Sequence, residues 1–305
     1  MVVVLAGGTG GAKLARGMLD VVGGDALTVI ANTGDDLEIH GVHVSPDPDL
    51  VAYWLADVID ERGWGIRGDT WSAMDRLEAE DGPGWFRLGD RDLALCKVRT
   101  EQLRAGRRLS DAHAKVLREL GVNARVLPMS DGPVRTQVRA NGQWQPFQEF
   151  MILAGGKEPG ALVVEDVRFD GLDAAGPTPE VLEAIDQAEV VVVGPSNPVI
   201  SIGPILALPG VKEALRATAA PVVAVSPFVG GRAVKGPTDT FCAWASIAMS
   251  AGGAAHTYEG LLDGMVADEA AASLPTLVTN TLMDTPDARR TVAATVLDFA
   301  RTLVA

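Results

Sequence analysis

Residues 2–14 read Val2-Val3-Val4-Leu5-Ala6-Gly7-Gly8-Thr9-Gly10-Gly11-Ala12-Lys13-Leu14, and this stretch decides the fold. Five apolar residues, three of them β-branched, predict a buried strand over 2–6. The glycines that follow predict a tight turn, and the periodicity beyond them predicts a helix over 12–22. Glycine reaches positive φ and lets a ligand approach the backbone, while the unpaired N–H groups of a helix N-terminus favour an anion. Gly7, Gly8, Thr9, Gly10, Gly11 and Lys13 are therefore candidate phosphate contacts. Neither common phosphate fingerprint fits. A dinucleotide fingerprint begun at Gly8 needs glycine where Lys13 stands, and an acid at the end of the second strand, which instead ends Val29-Ile30-Ala31-Asn32. A Walker loop begun at Gly7 needs a hydroxyl where Leu14 stands, so any metal ligands must come from elsewhere.

Working outward, a strand at 27–31 and a helix near 49–61 continue a βαβα alternation. It resumes with a strand at 162–167, a helix near 179–188, the run Val190–Val193, a helix at 211–217 and the run Val222–Val225. An apolar segment at 240–251, a strand at 276–279 and a helix at 287–303 complete it. The expected fold is α/β: a Rossmann-like, open, mostly parallel sheet with helices on both faces, built from residues 1–64 and 161–305. Residues 65–160 are richer in Arg, Asp, Trp and Gly. They read as an inserted substrate-binding subdomain of helices and hairpins, with a helix at 110–120 and strands near 134–140 and 143–150, capping the carboxyl edge of the sheet.

The chain has 305 residues, 47% of them hydrophobic, and a formal charge of −14. That acidity argues against nucleic acid and anionic membrane as partners. The sequence has no signal-peptide pattern and no apolar run long enough to span a bilayer, so a soluble protein is expected. The two cysteines, Cys96 and Cys242, lack metal-ligand spacing and fit a reduced, cytoplasmic setting. His40, His43, His113 and His256 form no metal-binding or nucleophile-activating spacing.

An acidic loop, Asn32-Thr33-Gly34-Asp35-Asp36, follows the second strand, and Ser45-Pro46-Asp47-Pro48-Asp49 soon after it. Asn32 and four carboxylates, Asp35, Asp36, Asp47 and Asp49, thus fall near the glycine turn. Hard oxygen ligands of this kind suit Mg2+, which binds one or two carboxylates plus substrate phosphates. Asp35, Asp36 and Asp47 are the candidate ligands, while a helix cap is the plainer reading of Asp49. Gly194-Pro195-Ser196-Asn197-Pro198-Val199-Ile200-Ser201 opens another strand end into small polar residues, adding Ser196, Asn197 and Ser201 to the phosphate contacts. Ser226-Pro227-Phe228-Val229-Gly230-Gly231, followed by Lys235-Gly236-Pro237, repeats the device. In an open α/β sheet such loops meet at the switch point, where ligands bind. In the insertion, Trp64–Trp71 and Trp85–Asp92 mix aromatics, arginines and acids without periodicity, as binding loops or as buried ion pairs. Arg91 offers a bidentate fork to a phosphate or a heterocyclic carbonyl.

Together with Leu88-Gly89-Asp90-Arg91-Asp92 and Pro128-Met129-Ser130-Asp131, these motifs resemble, in order and over nearly the whole chain, the 2-phospho-L-lactate transferase family of coenzyme F-420 biosynthesis. Ala12, where some relatives carry Pro, and Gly34 depart from the pattern. The resemblance implies transfer of a 2-phospho-L-lactyl group, or phosphoenolpyruvyl in actinobacterial relatives, from a guanosine diphosphate-linked donor to the deazaflavin precursor Fo, with magnesium and release of GMP. It also implies a homodimer, and it places Asp49 and Arg91 against Fo, with Asp49 orienting the ribityl hydroxyl or accepting its proton. The related gluconeogenesis-factor proteins share the glycine loop, and a nonenzymatic nucleotide-sugar sensor is the alternative. A nicotinamide dehydrogenase is disfavoured by the broken fingerprint.

Overall fold

A computed structural model describes residues 1–79, 84–154, 163–234 and 236–303. Its centre is a seven-stranded sheet of β1 (Val2–Ala6), β2 (Leu27–Ala31), β3 (Arg125–Pro128), β4 (Val190–Val193), β5 (Val222–Val225), β6 (Gly264–Ala267) and β7 (Thr276–Val278). In space the order is β7-β6-β5-β4-β1-β2-β3, with every neighbouring pair parallel. The chain runs outward from β1 through β2 and β3, then returns to the other side of β1 to lay down β4 to β7. The order reverses between β1 and β4, and the loops at their carboxyl ends splay apart there to leave a ligand crevice.

Period-two geometry divides the apolar strands between two core layers. Val3 and Leu5 face Val181, Ile202, Ile205 and Val211, from helices on one side. Val2, Val4 and Ala6 face Leu14, Met18, Val51 and Val296, from the helices Gly8–Val22, Pro46–Leu55 and Pro286–Thr302 on the other. Both faces being covered explains the uninterrupted Val and Ile runs.

The expected strands at 2–6, 27–31, 190–193 and 222–225 are found with those limits. Four expectations are corrected. The first helix begins at Gly8 rather than Ala12, so most of the glycine segment is helical. The second spans Pro46–Leu55 rather than 49–61, started by prolines in its first turn, where their missing N–H costs nothing. The region 65–160 is not wholly an insertion, because Arg125–Pro128 is the edge strand β3, an edge being where a strand tolerates proline. The strand expected at 162–167 as part of the parallel sheet is instead Asp166–Asp170, antiparallel to Arg135–Ala140 in a three-stranded sheet with Gln143–Pro146. The boundary expected at 160–161 lies outside the described residues.

Helices Ser72–Ala79, Asp90–Arg104 and Leu109–Glu119 precede β3, and Asp90–Arg104 packs on the hairpin strand Val42–Val44. Among the described residues no helix is long and apolar enough to cross a membrane.

Candidate functional site

A cavity of about 730 Å³ opens over the carboxyl ends of the sheet. One side of it is polar and is built from the loops after β1, β4 and β5: Gly7 to Gly10, Pro195 to Asn197 with Ile200 and Ser201, and Ser226 with Pro227. The other is aromatic, formed by Trp64, Trp85, Phe86 and Tyr53. Lys235, expected beside this site, lies outside the described residues.

The glycine turn does two different jobs. Gly7 N–H donates to Ser196 Oγ at 3.3 Å, and Gly8 N–H donates to Asp47 Oδ1 at 2.7 Å. The protein thus sets one of its own carboxylates on the anion-seeking end of the helix, and the Gly8 amide is not free for phosphate. Thr9 and Gly10 also line the cavity, and the N-cap, Gly7, has no side chain to cap the first turn. Packing explains the next two glycines. A Cβ on Gly10 would lie 2.0 Å from Pro195 O, and one on Gly11, which does not line the cavity, 2.6 Å from Ser196 Oγ. Lys13 lines the cavity and pairs with Asp284 at 3.1 Å.

Asn32 is buried behind the wall. Its Nδ2 donates to Asp47 Oδ2 at 2.9 Å and to Ile200 O at 3.2 Å, and its Oδ1 accepts from Gly34 N–H, so it orients Asp47. Asn197 Oδ1 likewise accepts from Val199 and Ile200 N–H, shaping the β4 loop, while Ser196, Asn197 and Ser201 all line the cavity.

Asp35 and Asp47 line the cavity and Asp36 does not. Both Asp36 oxygens are engaged, by Ser45 Oγ at 2.7 Å and His43 Nε2 at 3.0 Å, which makes it a strut. Asp35 Oδ1 is buried without a partner. Burial, and then the charges of Asp47 and Asp36, push the Asp35 carboxyl well above the usual range. Asp47 is raised to about 6, mainly by burial, against the hydrogen bonds from Asn32 and Gly8.

Asp49 stands in the first turn of Pro46–Leu55, lines the cavity and is ion-paired through Oδ1 with Arg99. Its Oδ2 is buried and unpartnered. Burial raises its pKa and the Arg99 charge opposes that rise. Beside it Asp92 Oδ1 accepts from Tyr53 OH at 2.7 Å, and the ligand atoms of Asp49, Asp92 and Cys96 lie within 4.8 Å of one another. Arg91 is elsewhere: it is exposed, does not line the cavity, and donates to Arg67 O at 3.2 Å. The helix that begins at Asp90 turns Arg91 out and brings in Asp92, Cys96 and Arg99, whose 4- and 3-residue steps mark one face. That spacing is visible in the sequence once the segment is read as a helix.

A Rossmann-like sheet whose glycine turn and acidic loops meet in a cavity at its switch point defines an α/β protein with a ligand site at the carboxyl ends of its strands. The chain belongs to the 2-phospho-L-lactate transferase CofD family, whose model matches residues 2–293. It is 43% identical over 277 residues to a phosphoenolpyruvate transferase of Kitasatospora aureofaciens, covering 88% of this chain and 85% of that one. It is 37% identical to a 2-phospho-L-lactate transferase of Methanocaldococcus jannaschii over 99% of both chains. Its fold is that of a UPF0052-family protein from Bacillus halodurans, with a TM-score of 0.61 at 17% identity over 97% of this chain and 98% of that one. The protein is a transferase.

Proposed function

We propose that this transferase moves a phosphoenolpyruvyl or 2-phospho-L-lactyl group from a guanosine diphosphate-linked donor to the terminal ribityl hydroxyl of Fo, releasing GMP in coenzyme F-420 biosynthesis. One observation carries the reading: a single cavity joins a glycine turn at a helix N-terminus and an acidic cluster to an aromatic wall, with Asp49 among the residues lining it. The diphosphate fits the first, against the amides of Thr9 and Gly10, Lys13, and the loop of Ser196 and Ser201. The flat deazaflavin fits the second, since aromatic faces stack on a heterocycle.

The donor set also fits Mg2+. Asp35 has an orphaned oxygen, and Asp35 and Asp47 are two desolvated, mutually repelling carboxylates, a cost that a cation would relieve. Asp35 and Asp47 would hold it, with Asp36 bracing the loop. When bound, the ion neutralises diphosphate charge that would otherwise repel an oxygen nucleophile. Asn32 fixes the direction of Asp47. Asp49 orients the acceptor hydroxyl and accepts its proton as the oxygen–phosphorus bond forms and GMP departs. With Arg91 turned outward, acceptor binding is assigned to Asp49, Trp64, Trp85 and Tyr53.

The test is turnover of Fo with each synthetic donor and magnesium, followed by mass spectrometry. The expected products are GMP and the Fo phosphodiester of the donor acid. Absence of both with either donor would sink the proposal.

A further inference from the structure

We propose that Arg99 is a positioning residue for the transfer, fixing from beneath the cavity the orientation of the Asp49 carboxylate. This rests on the reading that Asp49 meets the acceptor hydroxyl. Arg99 is wholly buried and does not line the cavity. Its guanidinium is held by three separate elements. One terminal nitrogen donates to His43 O at 3.2 Å, on the hairpin strand Val42–Val44. The other pairs with Asp49 Oδ1, on Pro46–Leu55, and lies 3.4 Å from His113 Nδ1, on Leu109–Glu119. His113 is kept neutral by burial and by the Arg99 charge, so its Nδ1 faces the guanidinium as an acceptor. The hairpin is fixed to the Arg99 helix a second time, by His43 N–H donating to Thr100 Oγ1 at 2.8 Å.

Stability alone gives little reason for this arrangement. A buried ion pair commonly contributes no more than well-packed apolar residues of the same volume. What the pair does supply is direction. With Oδ1 occupied, the carboxylate cannot rotate without breaking a charged hydrogen bond, and Oδ2 is left over. Asp92 shows the alternative: a neighbouring carboxylate held by Tyr53 OH and approached by Cys96 Sγ at 3.7 Å, with no cation of its own among these contacts. If Asp49 lost its guanidinium it would be free to turn toward those donors and away from the acceptor. A misplacement of about 1 Å at a reacting group costs on the order of 100-fold in rate.

The experiment uses Arg99→Lys and Arg99→Ala in the full chain, with kinetics, thermal melts and a crystal structure of Arg99→Lys. Lysine keeps the charge but not the planar fork that spans three partners. We expect kcat to fall about 100-fold in both variants with the donor KM within about twofold of wild type, and Asp49 to be rotated in the crystal structure. Millimolar guanidinium should restore at least part of the Arg99→Ala rate without changing its melting temperature, which a merely structural role would not produce. Wild-type kcat in folded Arg99→Lys, or an unmoved Asp49 in its structure, overturns the proposal. Should Arg99→Ala fail to fold, Arg99→Lys decides alone. A wild-type protein that binds Fo but transfers nothing counts against the reaction proposed above, while the position of Asp49 in the variant still decides the role of Arg99.

Discussion

Asp49 and Asp92 are neighbouring carboxylates that burial raises alike, and they differ in their partners. Asp49 has a guanidinium, whereas Asp92 is raised to about 7, first by burial and then by the charge of Asp49. A carboxyl whose folded pKa lies above its unfolded value binds more protons folded than unfolded between the two, so stability falls as pH rises through that interval. For Asp92 the interval runs from about 4 to about 7, with no further change above it. Asp92→Asn removes the titration, so the variant should match wild type near pH 4 and exceed it near pH 8. Partial access to cavity water limits the gain to about 1–3 kcal/mol. Urea denaturation at the two pH values measures this, and a gap that does not widen with pH would refute the assignment. None of it is visible from the motif Leu88–Asp92, where Arg91 looks like the functional group and Asp92 like its neighbour. Which side chain points inward depends on the helix phase, and a mixed first turn of Asp, Arg and Asp hides that phase.

Helix Asp90–Arg104 carries three of the site's interior groups and is anchored from outside its own sequence. Asp69 Oδ1 accepts from Arg91 N–H at 2.9 Å and Asp69 Oδ2 from Asp92 N–H at 3.1 Å, a cap supplied in place of the N-cap Gly89. Asp69→Ala leaves those amides open and should cost about 1 kcal/mol in denaturant unfolding. It should also weaken Fo binding by loosening the turn that holds Asp92; unchanged affinity and stability together would show the cap to be idle. The opening helix depends on contact rather than capping. Gly10→Ala would force a methyl to within 2.0 Å of the Pro195 carbonyl oxygen, a backbone atom that cannot swing aside, so the β1 and β4 loops must part. A loss of about 2–3 kcal/mol is expected, with weaker GMP binding by calorimetry. The sheet was largely legible because β1, β2, β4 and β5 are buried on both faces and leave unbroken branched runs. β3 and β6 were not, since β3 begins with an exposed Arg125 and β6 is four residues opening on Gly264.

At the scale of the molecule, the site draws Gly7, Asp47, Ser196 and Asp284 from distant parts of the chain into one cavity. The sequence located the Gly7 and Ser196 loops as strand ends but could not show that Asp47, not a ligand, takes the Gly8 amide. Under the proposed function, that arrangement separates nucleotide from acceptor by their need for a cation. On the proposed reading nucleotide phosphates approach Asp35 and Asp47, whereas the aromatic wall of Trp64, Trp85 and Phe86 asks for no charge compensation. A ligand at 100 times its Kd stabilises by about 2.7 kcal/mol. At roughly 2 °C per kcal/mol for a chain of this size, GMP and Fo should each raise the melting temperature by about 5 °C. EDTA should abolish the GMP shift and spare the Fo shift, and Asp35→Asn should reproduce the effect of EDTA. A GMP shift that survives both EDTA and Asp35→Asn would mean that the amides and Lys13 hold the phosphate unaided, and that the carboxylates serve only the turn.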